Sequence, residues 1–425
     1  MVRIRPMIPT RYVLVLGTFL LSVLLYFDRA CISAAKGPLA ADLRLSDTQF
    51  GWVMSSFALG YALLQAPTGM LADRYGPRGI LTSLVVFWSI FTGLTAAAWN
   101  LASLLVIRFL FGAGEAGAFP GMARAAYAWI PMRERGLMQG INFSGGRLGG
   151  AIALPAMAYG IDRFGWQASF VFLMLIGFAW AALWQLWFRN DPSEHPRIDP
   201  AELKYILAHR QQHAGGAVRQ LHASQLVVSW QVWLVSLQYF CSNFTFYFCL
   251  SWLHPFLKKT YSLGAVEAGF YAAATFVCGA VGNWLAGWLV DRIYRGGWWV
   301  GSRRVPAMAG FLLAAIGVGG GATAGSATEY VAWMSLAVLG ADMTLAPSWS
   351  VCIDIGRQSA GMVSGTMNMA GNIGSFVTGL AFPYLAAWTG GNTAYFYLAA
   401  ALNLVAMAIW TKIDPRRPIE AEVML

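Results

Sequence analysis

Six charged side chains lie inside otherwise apolar stretches of the sequence, where they could bind an anion and take up protons. They are Asp28, Arg29, Arg108, Glu115, Arg147 and Asp342. A full charge in hydrocarbon costs at least about 2.5 to 3.5 kcal/mol on insertion scales, so these groups must pair, become protonated or line water. A carboxyl group can become neutral, whereas a guanidinium stays charged. The residue types therefore predict a membrane site for an anion and protons.

The three acids and their nearest cations suggest separate roles. Arg108 and Glu115 are seven residues apart, which places them on one helix face, two turns apart and facing one cavity. Since Glu115 can become neutral in that cavity, we expect it to be the main proton carrier. We expect Asp28 to be a second acid paired with Arg108. The alternative is a fixed ion-pair network that only holds helices together, and Asp342 has no assigned role.

Two arginines are candidates for binding the anion. Arg29 presents a planar fork suited to a carboxylate or phosphate. Arg147 lies in SGGRLGG, where the glycines let helices approach closely and leave the guanidinium space. Our hypothesis is that these arginines hold two ends of a dianion such as an aldarate, or one carboxylate and a polar chain end. An equally good alternative pairs Arg147 with Glu115 or Asp342.

The composition indicates a membrane protein. Charged residues make up 11% of the chain and apolar residues 58%, with a mean hydropathy of +0.55. A water-soluble surface cannot be built from these residues. The net charge of +10 could suggest a nucleic-acid binder, but the basic residues are distributed as in a membrane protein, so no nucleic-acid partner is expected. The five cysteines lie singly, with no metal-ligand spacing, and disulfides are not expected.

The apolar periodicity predicts twelve transmembrane helices. Each is long enough to cross about 30 Å of hydrocarbon. Most of the 29 Lys and Arg residues fall on the side that holds the N-terminus, which predicts that both termini are cytoplasmic. The first span is too long for a signal peptide and should remain in the protein. The spans are 11–33, 49–72, 79–98, 101–126, 137–160, 167–188, 229–254, 265–291, 304–322, 330–352, 359–386 and 392–411.

A polar stretch divides the spans into two sets of six. We predict an N-terminal bundle at 1–188, a cytoplasmic linker at 189–228 and a C-terminal bundle at 229–425. The linker should carry a short amphipathic helix, about Pro200 to Gln212. Four of the five histidines lie in it without a fixed scaffold, so no metal site is predicted. They are His195, His209, His213 and His222.

An internal repeat supports the two bundles. The second span ends in GMLADRYGPR, Gly69 to Arg78, and the eighth ends in GWLVDRIYRGG, Gly287 to Gly297, so both follow G-x-x-x-D-R. Asp73 can accept hydrogen bonds from the N-terminus of a neighbouring helix, which would close the cytoplasmic side in one state. The alternative is simple anchoring of the basic residues on the cytoplasmic side. The predicted gating residues are Asp73, Arg74, Arg78, Asp291 and Arg292.

These features resemble the major facilitator superfamily and, within it, the anion:cation symporters. The resemblance is carried by GMLADRYGPR, RFLFGAGEAGAFPGMARAAYAWIP (Arg108 to Pro131), the residues Tyr26, Asp28 and Arg29, the loop DPSEHPRIDPAELKYI, and SGTMNMAGNIGS (Ser364 to Ser375). It implies an all-α polytopic membrane protein with twelve helices in two pseudo-symmetric six-helix bundles. It also implies that Arg29 binds the anion and that Asp28 and Glu115 take part in proton coupling. Arg147 is a departure, because some sugar-acid carriers have an uncharged glutamine near this position.

The second bundle offers polar groups for a hydroxyl-rich substrate. Tyr239, Asn243 and Tyr247 recur every four residues and share a helix face. Such substrates need donors, acceptors and aromatic faces, but asparagines also join helices and aromatic rings also anchor at interfaces. By resemblance to the family's substrate lining, the candidate residues besides the two arginines are Tyr61, Tyr247, Ser348, Trp349, Asn368 and Asn372.

The expected function is proton-coupled symport of a small organic anion by alternating access around a midplane site. A sugar acid such as a hexuronate, aldonate or aldarate is the expected substrate. The alternatives are an anion exchanger without net proton movement and a non-transporting sensor. An enzyme is not expected, because HExxH and GxSxG are absent from the sequence. We expect a monomer in the lipid bilayer of a bacterial inner membrane, with protons as the coupling ion and no other cofactor.

Overall fold

The computed structural model describes residues 8–211 and 223–419, which form helices joined by short turns, with no strand among these residues. The long apolar runs dictate this, because a helix satisfies its backbone hydrogen bonds internally where no water is present. The helices of the first half are α1 (Thr10–Ala34), α2 (Lys36–Asp42), α3 (Asp47–Tyr75), α4 (Pro77–Thr95), α5 (Leu101–Glu115), α6 (Ala118–Trp129), α7 (Arg135–Phe164) and α8 (Trp166–Trp187).

The linker and the second half contribute ten further helices. They are α9 (Pro200–His209), α10 (Ala223–Val228), α11 (Trp230–Ser251), α12 (Leu253–Tyr261), α13 (Ala265–Arg295), α14 (Trp299–Gly321), α15 (Ala327–Met343), α16 (Leu345–Gly356), α17 (Ala360–Thr389) and α18 (Thr393–Trp410).

Each predicted span coincides with one helix or with two consecutive helices. The fourth span is interrupted between α5 and α6, and the tenth between α15 and α16 at Thr344. By length and apolar composition, eight helical stretches of the described residues could cross a membrane. The other long helices, α3, α7 and α11, have 29, 30 and 22 residues and are more polar. Their polar residues include five of the thirteen gating and binding candidates, namely Tyr61, Asp73, Arg74, Arg147 and Tyr247.

The chain separates into two compact units, each of which includes a short segment from the other half of the sequence. Unit 1 comprises Met1–Met132, Leu148–Gln220 and Gly356–Gly365, and unit 2 comprises Arg133–Arg147, Leu221–Ile355 and Thr366–Leu425. Helix α7 therefore passes from unit 2 to unit 1 after Arg147. Helix α17 passes from unit 1 to unit 2 after Gly365. Nothing in the sequence indicated these exchanges, and the bundle boundaries at 188 and 229 stay a prediction.

The linker helix α9 contacts the start of α1. The side chain of Glu202, 8% exposed, accepts hydrogen bonds from the backbone N–H groups of Thr10 and Arg11 at 2.8 and 3.0 Å and from Arg11 Nη1 at 3.0 Å. A carboxylate at this position satisfies free donors of the first turn and favours the positive end of the helix dipole. The linker thus supplies the N-terminal cap that α1 lacks in its own sequence, where Pro9 precedes the helix.

The histidines of the linker are described only in part. Burial, and next the neighbouring Arg189 and Arg197, lower the pKa of His195. Its ring packs edge-on against Trp129 and Trp187. His213 and His222 lie outside the described residues. Across residues 8–211 and 223–419, no three His, Cys, Asp or Glu side chains are grouped as a metal site requires.

Helices α3 and α5 cross at closely packed glycines in unit 1. A Cβ atom added to Gly60 would collide with the backbone carbonyl of Phe109 on α5, whereas one added to Gly51 on the same helix α3 would have nothing within 4 Å. Backbone atoms cannot move aside as a flexible side chain can. Close approach of the helices therefore depends on the glycine at position 60.

We expect Gly60→Ala to destabilise the protein by about 1 to 3 kcal/mol, because the added methyl group forces α3 and α5 apart. The measurement is the thermal unfolding midpoint of the purified protein in detergent. Gly51→Ala is the matched control on the same helix and should leave the midpoint unchanged. Equal midpoints for the two variants would contradict the described helix crossing.

Candidate functional site

The central contact of unit 1 is an ion pair between Arg29 on α1 and Glu115 at the end of α5. Arg29 Nε lies 2.7 Å from Glu115 Oε2. The glutamate side chain has no exposure, while that of Arg29 is 25% exposed. Arg29 Nη2 and Glu115 Oε1 are buried without a hydrogen-bond partner. The guanidinium therefore uses only part of its donor capacity on the glutamate.

Aromatic rings surround the Arg29 guanidinium. Its central carbon lies 4.6 Å from the ring centre of Tyr61, 5.4 Å from that of Phe57 and 5.6 Å from that of Tyr26. Ring faces stabilise a desolvated cation electrostatically. Tyr61, predicted as a substrate residue, thus lies directly beside Arg29, and its ring stacks on Phe57 at 5.7 Å. The rings thus pack around the guanidinium, whose Nη2 group is buried and has no hydrogen-bond partner.

Asp28 and Arg108, which were predicted to pair, interact electrostatically, and the hydrogen bonds of Asp28 come from α4. Asp28, 2% exposed, accepts hydrogen bonds from Trp88 Nε1 at 3.2 Å and Thr92 Oγ1 at 3.5 Å, both on α4. Both donors are neutral side chains. Arg108 instead lies over Phe111 at 4.5 Å, and its Nε has no hydrogen-bond partner. Arg108 still interacts electrostatically with both Asp28 and Glu115.

The second ion pair, in unit 2, joins Arg147 on α7 to Asp342 on α15. It is bidentate, with Nε and Oδ2 at 2.7 Å and Nη2 and Oδ1 at 2.6 Å. Asn283 Nδ2 on α13 donates a further hydrogen bond to Oδ2 at 3.2 Å. This is one of the two pairings that the sequence left open for Arg147. It also identifies the partner of Asp342, a residue with no assigned role. Arg147 is 6% exposed and Asp342 is 1% exposed.

The other substrate candidates of unit 2 are held by their neighbours. Ser348 Oγ donates to Gln238 Oε1 at 3.2 Å, and Trp349 Nε1 donates to the Tyr239 hydroxyl at 3.0 Å. Asn372 Nδ2 donates to the Asn368 carbonyl at 2.8 Å. The remaining candidate, Tyr247, is half-buried. Their roles in binding a substrate stay predictions.

In unit 1 the acid of the first G-x-x-x-D-R repeat caps a helix. Asp73 accepts hydrogen bonds from the N–H groups of Gly361 and Met362, in the first turn of α17, at 2.9 and 2.7 Å. Arg124 Nε lies 3.7 Å from the same carboxylate. Arg78 donates from Nε and Nη2 to the Gln185 carbonyl at 3.0 and 2.7 Å. The expected contact of Asp73 is therefore present, while the gating role of Asp73 and Arg78 stays a prediction.

In unit 2 the second repeat reproduces this cap. Asp291 accepts from the N–H groups of Gly136 and Leu137, in the first turn of α7, at 2.9 Å each. The guanidinium of Arg292 lies 5.9 Å from the ring centre of Trp288. Both acids thus occupy the positive end of a helix dipole, where a carboxylate is stabilised. A cavity of about 130 Å³ beside this cap is lined by Leu137, Trp288, Asp291, Arg292 and Arg295.

A further buried cluster was missed from the sequence. Asp354 at the end of α16 pairs with Arg135 and with Arg303, whose Nε lies 2.8 Å from Oδ2, and it accepts a hydrogen bond from Trp299 Nε1 at 3.2 Å. All three charged side chains are at most 1% exposed. The positive-inside rule assigned both arginines to the cytoplasmic side, and this rule carries no information on burial. The available signal was Asp354 itself, an acid directly after an apolar run.

A family model described as Major Facilitator Superfamily matches residues 18–379 of the chain. This match includes both ion pairs, Arg29 with Glu115 and Arg147 with Asp342. It also includes both capping acids, Asp73 and Asp291.

Two relatives match almost the full length. One, 32% identical over 97% of this chain and 96% of its own length, is a probable sulfoacetate transporter, SauU, of Cupriavidus necator. The other, 30% identical over 94% of each chain, is a probable galactarate/D-glucarate transporter, GarP, of Escherichia coli. Both names describe carriers of organic anions, and neither describes an enzyme.

The solved structure of the proton:xylose symporter XylE resembles this fold. Its TM-score is 0.75 at 16% identity, with coverage of 97% of this chain and 98% of that one. At this identity the likeness concerns the fold, and it confirms the predicted fold class of twelve transmembrane helices in two six-helix bundles.

We expect Asp73→Asn to weaken the cap on α17, because an amide offers one acceptor and directs an NH2 group at a backbone N–H. Hydrogen bonds to a charged group contribute about 1.5 to 3 kcal/mol. The loss should appear as a lower thermal midpoint in detergent and a lower rate of transport. Arg74→Gln is the control for the thermal midpoint alone, because Arg74 is exposed and lies over Tyr75 at 5.3 Å. If the thermal midpoint fell equally in both variants, the cap on α17 would not be the contact that stabilises the protein.

Proposed function

The chain belongs to the major facilitator superfamily and is a membrane transporter, and we propose that it carries a small organic anion together with protons. A sugar acid is the substrate class that we infer. The observation that carries this proposal is the pair Arg29 and Glu115, in which a partly exposed arginine donates to a fully buried acid through Nε. The proposed transport cycle is alternating access, in which the binding site opens to one side of the membrane at a time.

The first step is protonation of Glu115. Its carboxylate takes a proton from water that reaches the site and becomes a neutral acid, so it no longer balances the charge of Arg29. A guanidinium without a counter-ion is costly in a buried position. Arg29 then has both Nε and the unpartnered Nη2 available for two oxygens of a carboxylate. Proton uptake therefore creates the site for the anion.

The second step is the conformational change. With the anion bound, Arg29 again has a counter-ion, and Glu115 is neutral. The loaded carrier thus has the same local charge balance as the empty one. Coupling follows if the proton and the anion both favour the same conformational state, because ligands shift an equilibrium only by their difference in affinity. Asp28 and Arg108 lie in the same charged cluster and would tune the protonation of Glu115.

The relatives support an acid substrate. Sulfoacetate carries a sulfonate and a carboxylate, and galactarate and glucarate carry two carboxylates with four hydroxyls. A guanidinium fork suits each of these acid groups. Hydroxyl-rich acids also need hydrogen-bonding partners, which Tyr61, Tyr247, Asn368 and Asn372 could provide. The earlier hypothesis that Arg29 and Arg147 hold the two ends of a dianion stays a prediction.

We expect Glu115→Gln to abolish anion uptake driven by a proton gradient, because the amide cannot take up or release the proton. The measurement uses purified protein in proteoliposomes with an internal pH dye, with galactarate, sulfoacetate and glucuronate as probes. The wild-type protein should acidify the interior when a transported acid is added. Exchange of labelled acid across the membrane should persist in Glu115→Gln, since it needs no net proton movement.

Glu194→Gln is the control for this variant, because Glu194 is an exposed acid of the linker. It should acidify the interior as the wild type does. Acid uptake by the wild type without any acidification would contradict proton symport and favour anion exchange. Binding of an acid without uptake would favour a sensor.

We expect Arg29→Lys to raise the KM for the transported acid roughly tenfold or more. An ammonium is a point charge and cannot bind two carboxylate oxygens as the fork does. The measurement is initial uptake of the labelled acid over a range of concentrations. Arg163→Lys, at an exposed position on α7, is the matched control and should leave KM unchanged. An unchanged KM in Arg29→Lys would place the anion elsewhere.

A further inference from the structure

We propose that the end of α13 binds the headgroup of an anionic phospholipid, whose phosphate is held by Arg292 and Arg295. The site lies within unit 2, beside the cap that Asp291 forms on the first turn of α7. It takes a molecule of the bilayer as its ligand. The inference therefore goes beyond the proposed function and does not depend on which anion the protein carries or on proton coupling.

One exposed face of α13 changes from apolar to basic at its end. Its residues recur every three or four positions, which is the spacing of a single helix face. In a bilayer the apolar part of this face contacts acyl chains, and the basic part meets the headgroup region. In chain order the exposed residues that form this face are Val277, Val281, Trp284, Trp288, Arg292 and Arg295.

The basic end of this face borders a cavity of about 130 Å³. The cavity is lined by Leu137 of α7 and by Trp288, Asp291, Arg292 and Arg295 of α13. A water molecule needs about 10 to 15 Å³ of such space, so the cavity admits a larger polar group. Leu137 and Trp288 are also exposed, so apolar surface adjoins the polar lining. This combination suits a ligand with a charged head and an apolar body.

The two arginines offer positive charge to a ligand. Arg292 lies 5.9 Å from the ring centre of Trp288, and Arg295 Nη2 donates to the Arg133 carbonyl at 3.4 Å. In residues 8–211 and 223–419, no ion pair joins either arginine to an acid. A guanidinium fork matches the oxygens of a phosphate group. The exposed charge of the cavity is therefore complementary to a phosphodiester.

The acid of the cavity, Asp291, is engaged by the N-terminus of α7. It is 2% exposed, and its two oxygens accept hydrogen bonds from the N–H groups of Gly136 and Leu137 at 2.9 Å each. Arg295 and Arg303 also interact with it electrostatically. The positive end of the helix dipole stabilises its charge. An incoming headgroup thus meets the exposed arginines and not the buried acid.

The first G-x-x-x-D-R repeat shows that the cap does not require this combination. Asp73 caps a helix as Asp291 does, but the residues at the three corresponding positions differ. They are Met70, Arg74 and Pro77 in the first repeat and Trp288, Arg292 and Arg295 in the second. The indole and the second arginine are therefore particular to unit 2, where they line the cavity.

The apolar surroundings favour a lipid over a free phosphate ion. The apolar face of α13 leads up to the cavity, and a free ion would make no contact with it. The two arginines favour a headgroup with a net negative charge. Phosphatidylcholine would bring its own cation close to them, which is a like-charge contact, whereas phosphatidylglycerol brings hydroxyl groups. Phosphatidylglycerol is therefore the lipid that we use as the probe.

The test is photolabelling of the full-length purified protein in detergent. The probe is phosphatidylglycerol with a photoactivatable group on its headgroup, and mass spectrometry of the digested protein locates the label. We expect the label on residues 288–295 or on the first turn of α7. Unlabelled phosphatidylglycerol should displace the probe, and phosphatidylcholine should require a concentration roughly tenfold higher or more. Inorganic phosphate should not displace it.

The variant Arg292→Gln with Arg295→Gln tests the two side chains. We expect its affinity for phosphatidylglycerol to fall by roughly 10- to 100-fold, because two charge-assisted contacts are lost. Lys258→Gln with Lys259→Gln is the matched control. It removes the same charge from exposed residues in the last turn of α12, in the same unit, and should leave the affinity unchanged. If the first double variant does not fold, Arg295→Gln alone carries the measurement.

Several results would overturn the proposal. An equal loss of affinity in both double variants would mean that the lipid is attracted to any exposed cation. A label confined to other helices would place the lipid elsewhere. Displacement by inorganic phosphate at the concentration at which phosphatidylglycerol acts would indicate a site for a free anion. Displacement by phosphatidylcholine at that concentration would contradict selection of an anionic headgroup.

Discussion

The structure depends on matching buried charges within an apolar chain. Arg29 with Glu115 and Arg147 with Asp342 each place a cation against an acid at a position where neither could stay charged alone. The two pairs differ in how the arginine is used. Arg29 donates through one nitrogen and keeps another unpartnered, while Arg147 is engaged bidentately. The acid of the first pair therefore engages fewer donors of its arginine than the acid of the second pair does.

A second interaction recurs at the two G-x-x-x-D-R repeats. Asp73 caps the first turn of α17, and Asp291 caps the first turn of α7. These are the two helices that pass from one unit to the other, and each capped end belongs to the same unit as its capping acid. A carboxylate held by two backbone donors contributes a few kcal/mol and has no covalent component. The predicted gating role of both acids requires that this contact be released in another state.

Much of the fold could be predicted from the sequence because apolar length and the position of basic residues reflect the bilayer directly. Composition does not report where a span is interrupted, so the break at Thr344 was not predicted. The chemistry of single residues was also predictable, since Glu115 can become neutral and Arg29 cannot. The interaction partners of the charged residues were less predictable. The sequence predicted Arg108 as the partner of Asp28 but did not indicate the hydrogen bonds that Asp28 accepts from Trp88 and Thr92 on another helix. The burial of Asp354 between Arg135 and Arg303 depends on tertiary packing alone.

The central claim is that Glu115 gains a proton when the anion takes its place on Arg29. Infrared difference spectroscopy of the membrane-embedded protein, recorded on adding a transported acid, tests this directly. The account predicts that the C=O band of a neutral carboxyl group appears on binding and is absent from the difference spectrum of Glu115→Gln. A wild-type spectrum with no such band, or the same band in both proteins, would contradict it.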